Sequence, residues 1–232
     1  MTEQSSNQSP AKSPYLENLI VPDSSSWPTF SNRFFWFCLI LVGLVAVMDR
    51  EVAFWVYDEH FKVAIRNAAW SRYIKWPGDF RFTLVVGALI LIVNYRRLLQ
   101  VIQLLVAGIM SGLVYTMVKW IVGRTRPFPL DFPYVQPFDF HPFPKGIVGL
   151  WKAGNMAFPS GHTCLAFATA ASLAAIAPRG TFVYYAIAMI VGIERVMEGA
   201  HYPSDVAGGM MFGVLSAALA GKLVRKYVPP VK

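Results

Sequence analysis

Three short groups of residues carry side chains that can do chemistry on an anion. Pro159-Ser160-Gly161-His162 stands just ahead of an apolar run beginning at Thr163. Serine and glycine at the mouth of a helix leave backbone N–H groups without intrahelical partners, and the helix dipole adds positive potential there. Phosphate is welcome at such a place, and His162 sets a titratable donor and acceptor beside it. Alone, the tetrapeptide reads equally well as a Ser N-cap, a glycine turn and a capping histidine.

The second group is Lys119 followed by Arg126-Pro127. The spacing is close to two helical turns, so both cations share one face at the end of an apolar run, which Pro127 terminates. Ionisable groups at membrane depth are costly, which favours a functional partner. Arg124 lies off that face and reads as a cation snorkelling at the membrane edge. The third group is Arg195, His201 and Asp205. From i+4, Asp205 is placed to accept a hydrogen bond from one imidazole nitrogen of His201, leaving the other more basic.

Such groups need helices to hold them, and the composition supplies them. Of 232 residues, 55% are apolar and 15% charged, too greasy for an average soluble protein. Apolar runs at Phe34–Met48, Phe82–Tyr95, Leu98–Val122, Thr163–Ala177, Thr181–Met197 and Val206–Val224 read as six membrane spans. The fold class is therefore all-α, a polytopic six-transmembrane-helix bundle. Residues 1–32, rich in Ser, Pro, Asn and Gln, read as a disordered cytoplasmic tail ahead of one domain over 33–228. Residues 50–80 mix Phe54, Trp55, Phe61, Ile65, Trp70, Tyr73 and Trp76 with Lys62, Arg66, Arg72 and Lys75. That suits an interfacial helix, aromatics inward and cations toward lipid phosphates, or an aromatic belt with snorkelling cations. Within 123–158 the six prolines from Pro127 to Pro144 rule out a regular helix and leave an irregular outer-face loop, where Asp131, Asp139 and His141 read as ordinary loop polarity.

Arginines in the tight connections Asn94–Arg97 and Pro178–Gly180, and after the last span, place these and both termini in the cytoplasm. Six alternating crossings then put all three chemical groups at the opposite, outer face. The net charge of +8 fits cytoplasmic loops and anionic headgroups better than nucleic acid, for which no recognition element is present. Cys38 and Cys164 fall inside apolar runs and read as buried small hydrophobes. Gly209 and Gly213 give the last span a small-residue face for close packing.

With those residues in that order and spacing, the chain resembles the type 2 phosphatidic acid phosphatase superfamily over roughly residues 34–225. The residue before the third-group arginine is commonly Ser in that family and is Glu194 here. The resemblance implies a phosphatase without metal or other cofactor that works through a phosphohistidine. It implies His201 as nucleophile, Asp205 holding its imidazole, and His162 protonating the leaving oxygen. Lys119, Arg126, Ser160, the Gly161 backbone and Arg195 would bind the phosphoryl oxygens. No His or Asp cluster has metal-ligand spacing. The substrates it implies are lipid phosphates or diphosphates at the outer, periplasmic face of a bacterial inner membrane: undecaprenyl diphosphate, phosphatidylglycerol phosphate, phosphatidic acid or lipid A. The alternatives are a lipid phosphotransferase and a non-catalytic phospholipid-binding or transport protein. A soluble haloperoxidase sharing these anion-site residues is argued against by the spans. Oligomeric state is left open by the sequence.

Overall fold

The computed structural model describes residues 19–20, 27–56, 68–127, 137–144, 146 and 156–227. The described helices are α1 (Asn32–Ala46), α2 (Asp49–Val56), α3 (Ala69–Lys75), α4 (Phe80–Val93), α5 (Leu98–Val122), α6 (Gly161–Ile176), α7 (Thr181–Met197) and α8 (Pro203–Tyr227). Among the described residues there is no strand, only an isolated bridge between Arg124 and Phe140. Phe61, Lys62, Ile65 and Arg66 of the interfacial segment, Asp131 of the loop, and most of the 1–32 leader lie outside the described residues.

The bundle is built around α6 and α8. Four buried alanines on α6 (Ala166, Ala168, Ala170 and Ala171) and the glycines of α8 keep the two backbones close. A Cβ on Gly209 would stand 2.8 Å from Ser160 O, and one on Gly213 would stand 2.3 Å from Cys164 O. Both glycines are thus demanded by helix approach. The remaining helices surround this pair and turn apolar side chains outward: Trp36, Ile40 and Leu44 on α1, Ile92 on α4, Leu113 on α5, Phe182 and Ile190 on α7. Polar side chains go inward instead. Thr83 meets Thr169 at 2.9 Å, and Gln103 donates to Ser172 Oγ at 3.1 Å and to Ala217 O at 3.3 Å. An apolar exterior over a hydrogen-bonded interior is the polarity of a protein dissolved in lipid.

Among the described residues three helices, two of them with 3-10 leads, are long and apolar enough to cross a membrane: Tyr95–Val122, Pro178–Met197 and Pro203–Tyr227. Ala69–Gly78 and Phe80–Val93 make a fourth as a pair bent by 65°. The shorter apolar helices α1 and α6 have 15 and 16 residues. At about 1.5 Å per residue each is roughly 23 Å long, short of a hydrocarbon layer of about 30 Å.

The bend before α4 differs from a simple interfacial helix with its cations turned to lipid. Trp70, Tyr73 and Trp76 are exposed, while Ser71 is buried and Lys75 turns to Glu198 on the α7–α8 connection at 3.0 Å. Two acidic residues at the end of α7, Glu194 and Glu198, need partners, and α3 adds Ser71 and Lys75 to the Arg195 of their own helix. Two described residues of the leader touch the bundle. Trp27 is buried beside Gly221 of α8, and Ile20 N–H donates to Arg96 O at 2.9 Å. Cys38 and Cys164 are both buried thiols.

Because the Gly213 Cβ position overlaps Cys164 O, Gly213→Leu should destabilise the bundle by about 3 kcal/mol or more. Gly43 has nothing within 4 Å of its Cβ position, so Gly43→Ala should leave the protein within about 0.5 kcal/mol of wild type. Thermal melting of the detergent-purified proteins checks both.

Candidate active site

The end of α5, the start of α6 and the α7–α8 turn meet at one end of the bundle. Ser160 N–H donates to Asp205 O at 2.9 Å, which pins the tetrapeptide to the first turn of α8. The arginine-bearing hairpins lie at the other end of α6, where Arg97 Nη1 donates to Ile176 O at 2.9 Å. Ser160 stands at the N-cap of α6, yet its side chain caps nothing; its Oγ accepts from Thr163 Oγ1 at 2.9 Å. The first-turn N–H groups of α6 therefore keep their character as an anion-binding end. Gly161 is needed close to Tyr115, whose ring would lie 3.3 Å from an added Cβ.

Lys119 is buried on α5, and its Nζ donates to Met156 O at 2.7 Å. Arg126 Nε reaches the same carbonyl at 3.4 Å. Gly123 lets the chain turn out of α5, in the left-handed conformation at φ 62°, with its N–H on Lys119 O. Its Cβ position is 1.8 Å from His141 O, so no side chain fits there. Arg195, 6% exposed, pairs with Glu198 and lies 3.5 Å from Glu194 Oε2. Its buried Nε has no hydrogen-bond partner among the described residues. A buried guanidinium N–H left unpaired at this place suits an anionic oxygen.

His201 is 3% exposed, between α7 and α8. Burial pushes its imidazole well below the usual 6.5, and Lys119, Arg126, Arg195 and His162 push it further in the same direction. His201 is therefore neutral at pH 7, with lone-pair character on its ring. His162, in the first turn of α6, feels Arg195, Lys75, Asp79 and Glu198 in turn. Gly78 packs against it, with an added Cβ 2.8 Å from His162 Cβ.

Asp205 is near His201 but does not hydrogen-bond it. Its Oδ2 lies 3.4 Å from Nδ1, which has no hydrogen-bond partner among the described residues. The carboxylate is held by other donors: Tyr202 N–H on Oδ2 at 2.8 Å and Arg124 Nη1 on Oδ1 at 2.6 Å.

Arg124 does not snorkel. It is 3% exposed, and besides Asp205 it binds Asp49 Oδ2 at 2.6 Å, Ser204 Oγ at 2.7 Å and Pro137 O at 2.8 Å, with its guanidinium 4.2 Å from the Tyr202 ring centre. Two buried carboxylates overcome desolvation and raise its pKa. Burial likewise raises Asp49, against the bonds from Arg124 and Ser204. Sequence spacing could not find Asp49, which lies 75 residues from Arg124. Glu194 is also a structural partner beyond Arg195: Ser71 Oγ donates to it at 2.5 Å. Among the described residues no three His, Cys, Asp or Glu side chains gather as metal ligands would.

The PAP2 superfamily model matches residues 100–228. A lipid A 1-phosphatase of Rhizobium etli is 34% identical over 148 residues, 64% of this chain and 50% of that protein. An undecaprenyl-diphosphatase of Sulfolobus acidocaldarius is 27% identical over 130 residues, 55% of this chain and 56% of that protein. The chain thus spans about half the length of these curated relatives. In fold it is similar to the PAP2-type phosphatidylglycerolphosphate phosphatase of Bacillus subtilis, with a TM-score of 0.53 at 20% identity over 84% of this chain and 95% of that one.

The depressed His201 has a consequence for stability. Unfolded, the imidazole takes up a proton near 6.5; folded, it resists. The unfolded state gains that proton as pH falls below 6.5, so stability is lost there, by up to about 1.4 kcal/mol per pH unit. His201→Gln should flatten this part of the acid limb in thermal melts against pH, while wild type keeps it.

Proposed function

The chain belongs to the PAP2 superfamily, and from that premise we propose that it is an integral membrane phosphatase hydrolysing lipid phosphate monoesters or diphosphates. The observation that carries this reading is that buried His201 lies 3.4 Å from Asp205 where the end of α5, with Lys119 and Arg126 on one carbonyl, the start of α6 and the turn after Arg195 meet. A neutral imidazole among fixed cations is suited to attack a phosphorus centre whose oxygens those cations hold.

In the proposed reaction, His201 forms an N–P bond as the P–O bond to the lipid breaks. His162 gives its proton to the leaving oxygen, then assists a water that attacks the phosphohistidine and frees inorganic phosphate. Arg195, Lys119, Arg126, Ser160 and the amide end of α6 at Gly161 hold the phosphoryl oxygens. Phosphoryl transfer is mostly positioning and charge stabilisation, and these cations supply the charge without a metal.

The proposed domain runs over 33–228 with six crossings, α1 and α6 included, and the site at the periplasmic face of a bacterial inner membrane. The arginine-bearing hairpins at the opposite end of the bundle favour that orientation. The relatives named above act on lipid A and undecaprenyl diphosphate by their descriptions. Lipid A carrying its 1-phosphate, undecaprenyl diphosphate, phosphatidylglycerol phosphate and phosphatidic acid are therefore the substrates to compare.

Purified protein in detergent should release phosphate from at least one of these lipids with excess chelator present. His201→Ala should abolish release, by about 10³-fold or more, with lipid binding retained. Activity lost to chelator would contradict the metal-free mechanism. Unchanged turnover in His201→Ala would contradict the assignment of the nucleophile.

A further inference from the structure

We infer that Asp49 and Arg124 are a positioning pair for His201: Arg124 fixes Asp205, and Asp49 cancels the charge that Arg124 brings. This rests on the reading of His201 as the nucleophile.

The three groups form one buried chain. Asp49 and Asp205 have no exposed surface, Arg124 has 3%, and its Nη2 and Nη1 each bind one carboxylate at 2.6 Å. Arg124 alone with Asp205 would make a neutral pair. With Asp49 the set carries one net negative charge, and Asp205 is the member of it that lies 3.4 Å from His201 Nδ1. That charge is needed when His201 bonds to phosphorus, because the imidazole then becomes cationic. Its basic neighbours Lys119, Arg126 and Arg195 all oppose a cation there. A net negative charge behind Nδ1 offsets them, at a distance where the protonated ring finds its acceptor.

Asp49 also holds the helix that carries Asp205. Its Oδ1 accepts from Ser204 N–H at 2.9 Å and its Oδ2 from the Ser204 hydroxyl. A carboxylate at the N-terminal turn of α8 is stabilised by the helix dipole. Arg124 is held in turn by Pro137 O and the Tyr202 face, so neither end of the bridge can swing away. Asp49 starts α2, so a helix early in the chain contributes to a site whose proposed phosphate-handling residues all come from α5 and beyond.

Charge compensation tests this against a merely structural tie. Asp49→Asn leaves the set neutral and should lower kcat of the folded protein about 10- to 100-fold, by analogy with the loss of a partner behind a metal-bound histidine. KM should stay within about 2-fold of wild type. Asp49→Asn combined with Arg124→Gln restores one net negative charge, and kcat should recover at least about half of the logarithmic loss. A structural tie predicts the reverse: kcat per folded molecule held in Asp49→Asn, or a double variant as poor as the single one or worse. Either result overturns the inference.

If Asp49→Asn does not fold, the double variant alone decides: kcat within about 10-fold of wild type supports the pair, and loss to the level of His201→Ala overturns it. The 15N resonances of the His201 ring supply a readout independent of turnover. They should move in Asp49→Asn and return in the double variant. Wild type that cleaves none of the lipids would contradict the proposed function, while the resonances would still decide the inference; unmoved resonances would overturn it.

Discussion

A carboxylate with no access to solvent, Asp205, is the group on which the rest of the site depends. Left without partners, it would be neutralised or would unfold its surroundings. The chain satisfies it from three directions: an amide from Tyr202, a guanidinium from Arg124, and the positive end of α8 itself. Each partner comes with a further demand. Arg124 needs Asp49, Asp49 needs the amide and hydroxyl of Ser204, and the carbonyl of Asp205 takes the amide that starts the α6 cradle. One buried charge thus fixes the relative positions of α2, α5, α6 and α8.

The bilayer explains why these demands are met by helix ends. Within hydrocarbon the backbone must be paired by its own helix, so unpaired N–H groups and irregular chain are confined to the ends. The polar side chains of the candidate site are gathered there for the same reason. Close approach of α6 and α8 through Gly209 and Gly213 sets the His162 end of one helix beside the Asp205 end of the other. Substituting these glycines would part the proposed acid from the proposed nucleophile with no site residue itself changed.

Much of this was legible in the sequence. Helices over Leu98–Val122 and Thr181–Met197 stand where the apolar runs lie, because a membrane helix announces itself locally. The three chemical groups stand out in the sequence because each is a short local stretch: the end of α5, the start of α6 and the α7–α8 turn. What failed to show was pairing over long separations. Arg124 looked like a surface cation because Asp49, 75 residues away, gives no spacing signal. Lys75 looked lipid-facing because Glu198 lies 123 residues on. The hydrogen bond expected from His201 to Asp205 was replaced by a 3.4 Å approach, since local spacing cannot show that Arg124 and Tyr202 take the carboxylate first.

The most direct test of the account is to trap the phosphoryl group. Protein quenched during turnover of a lipid carrying labelled phosphate should hold the label on His201, as an acid-labile and alkali-stable adduct. Peptide mapping should find it there in wild type and find none in His201→Ala. Label on His162 or on a hydroxyl, or sustained turnover with no labelled protein at any quench time, would contradict it.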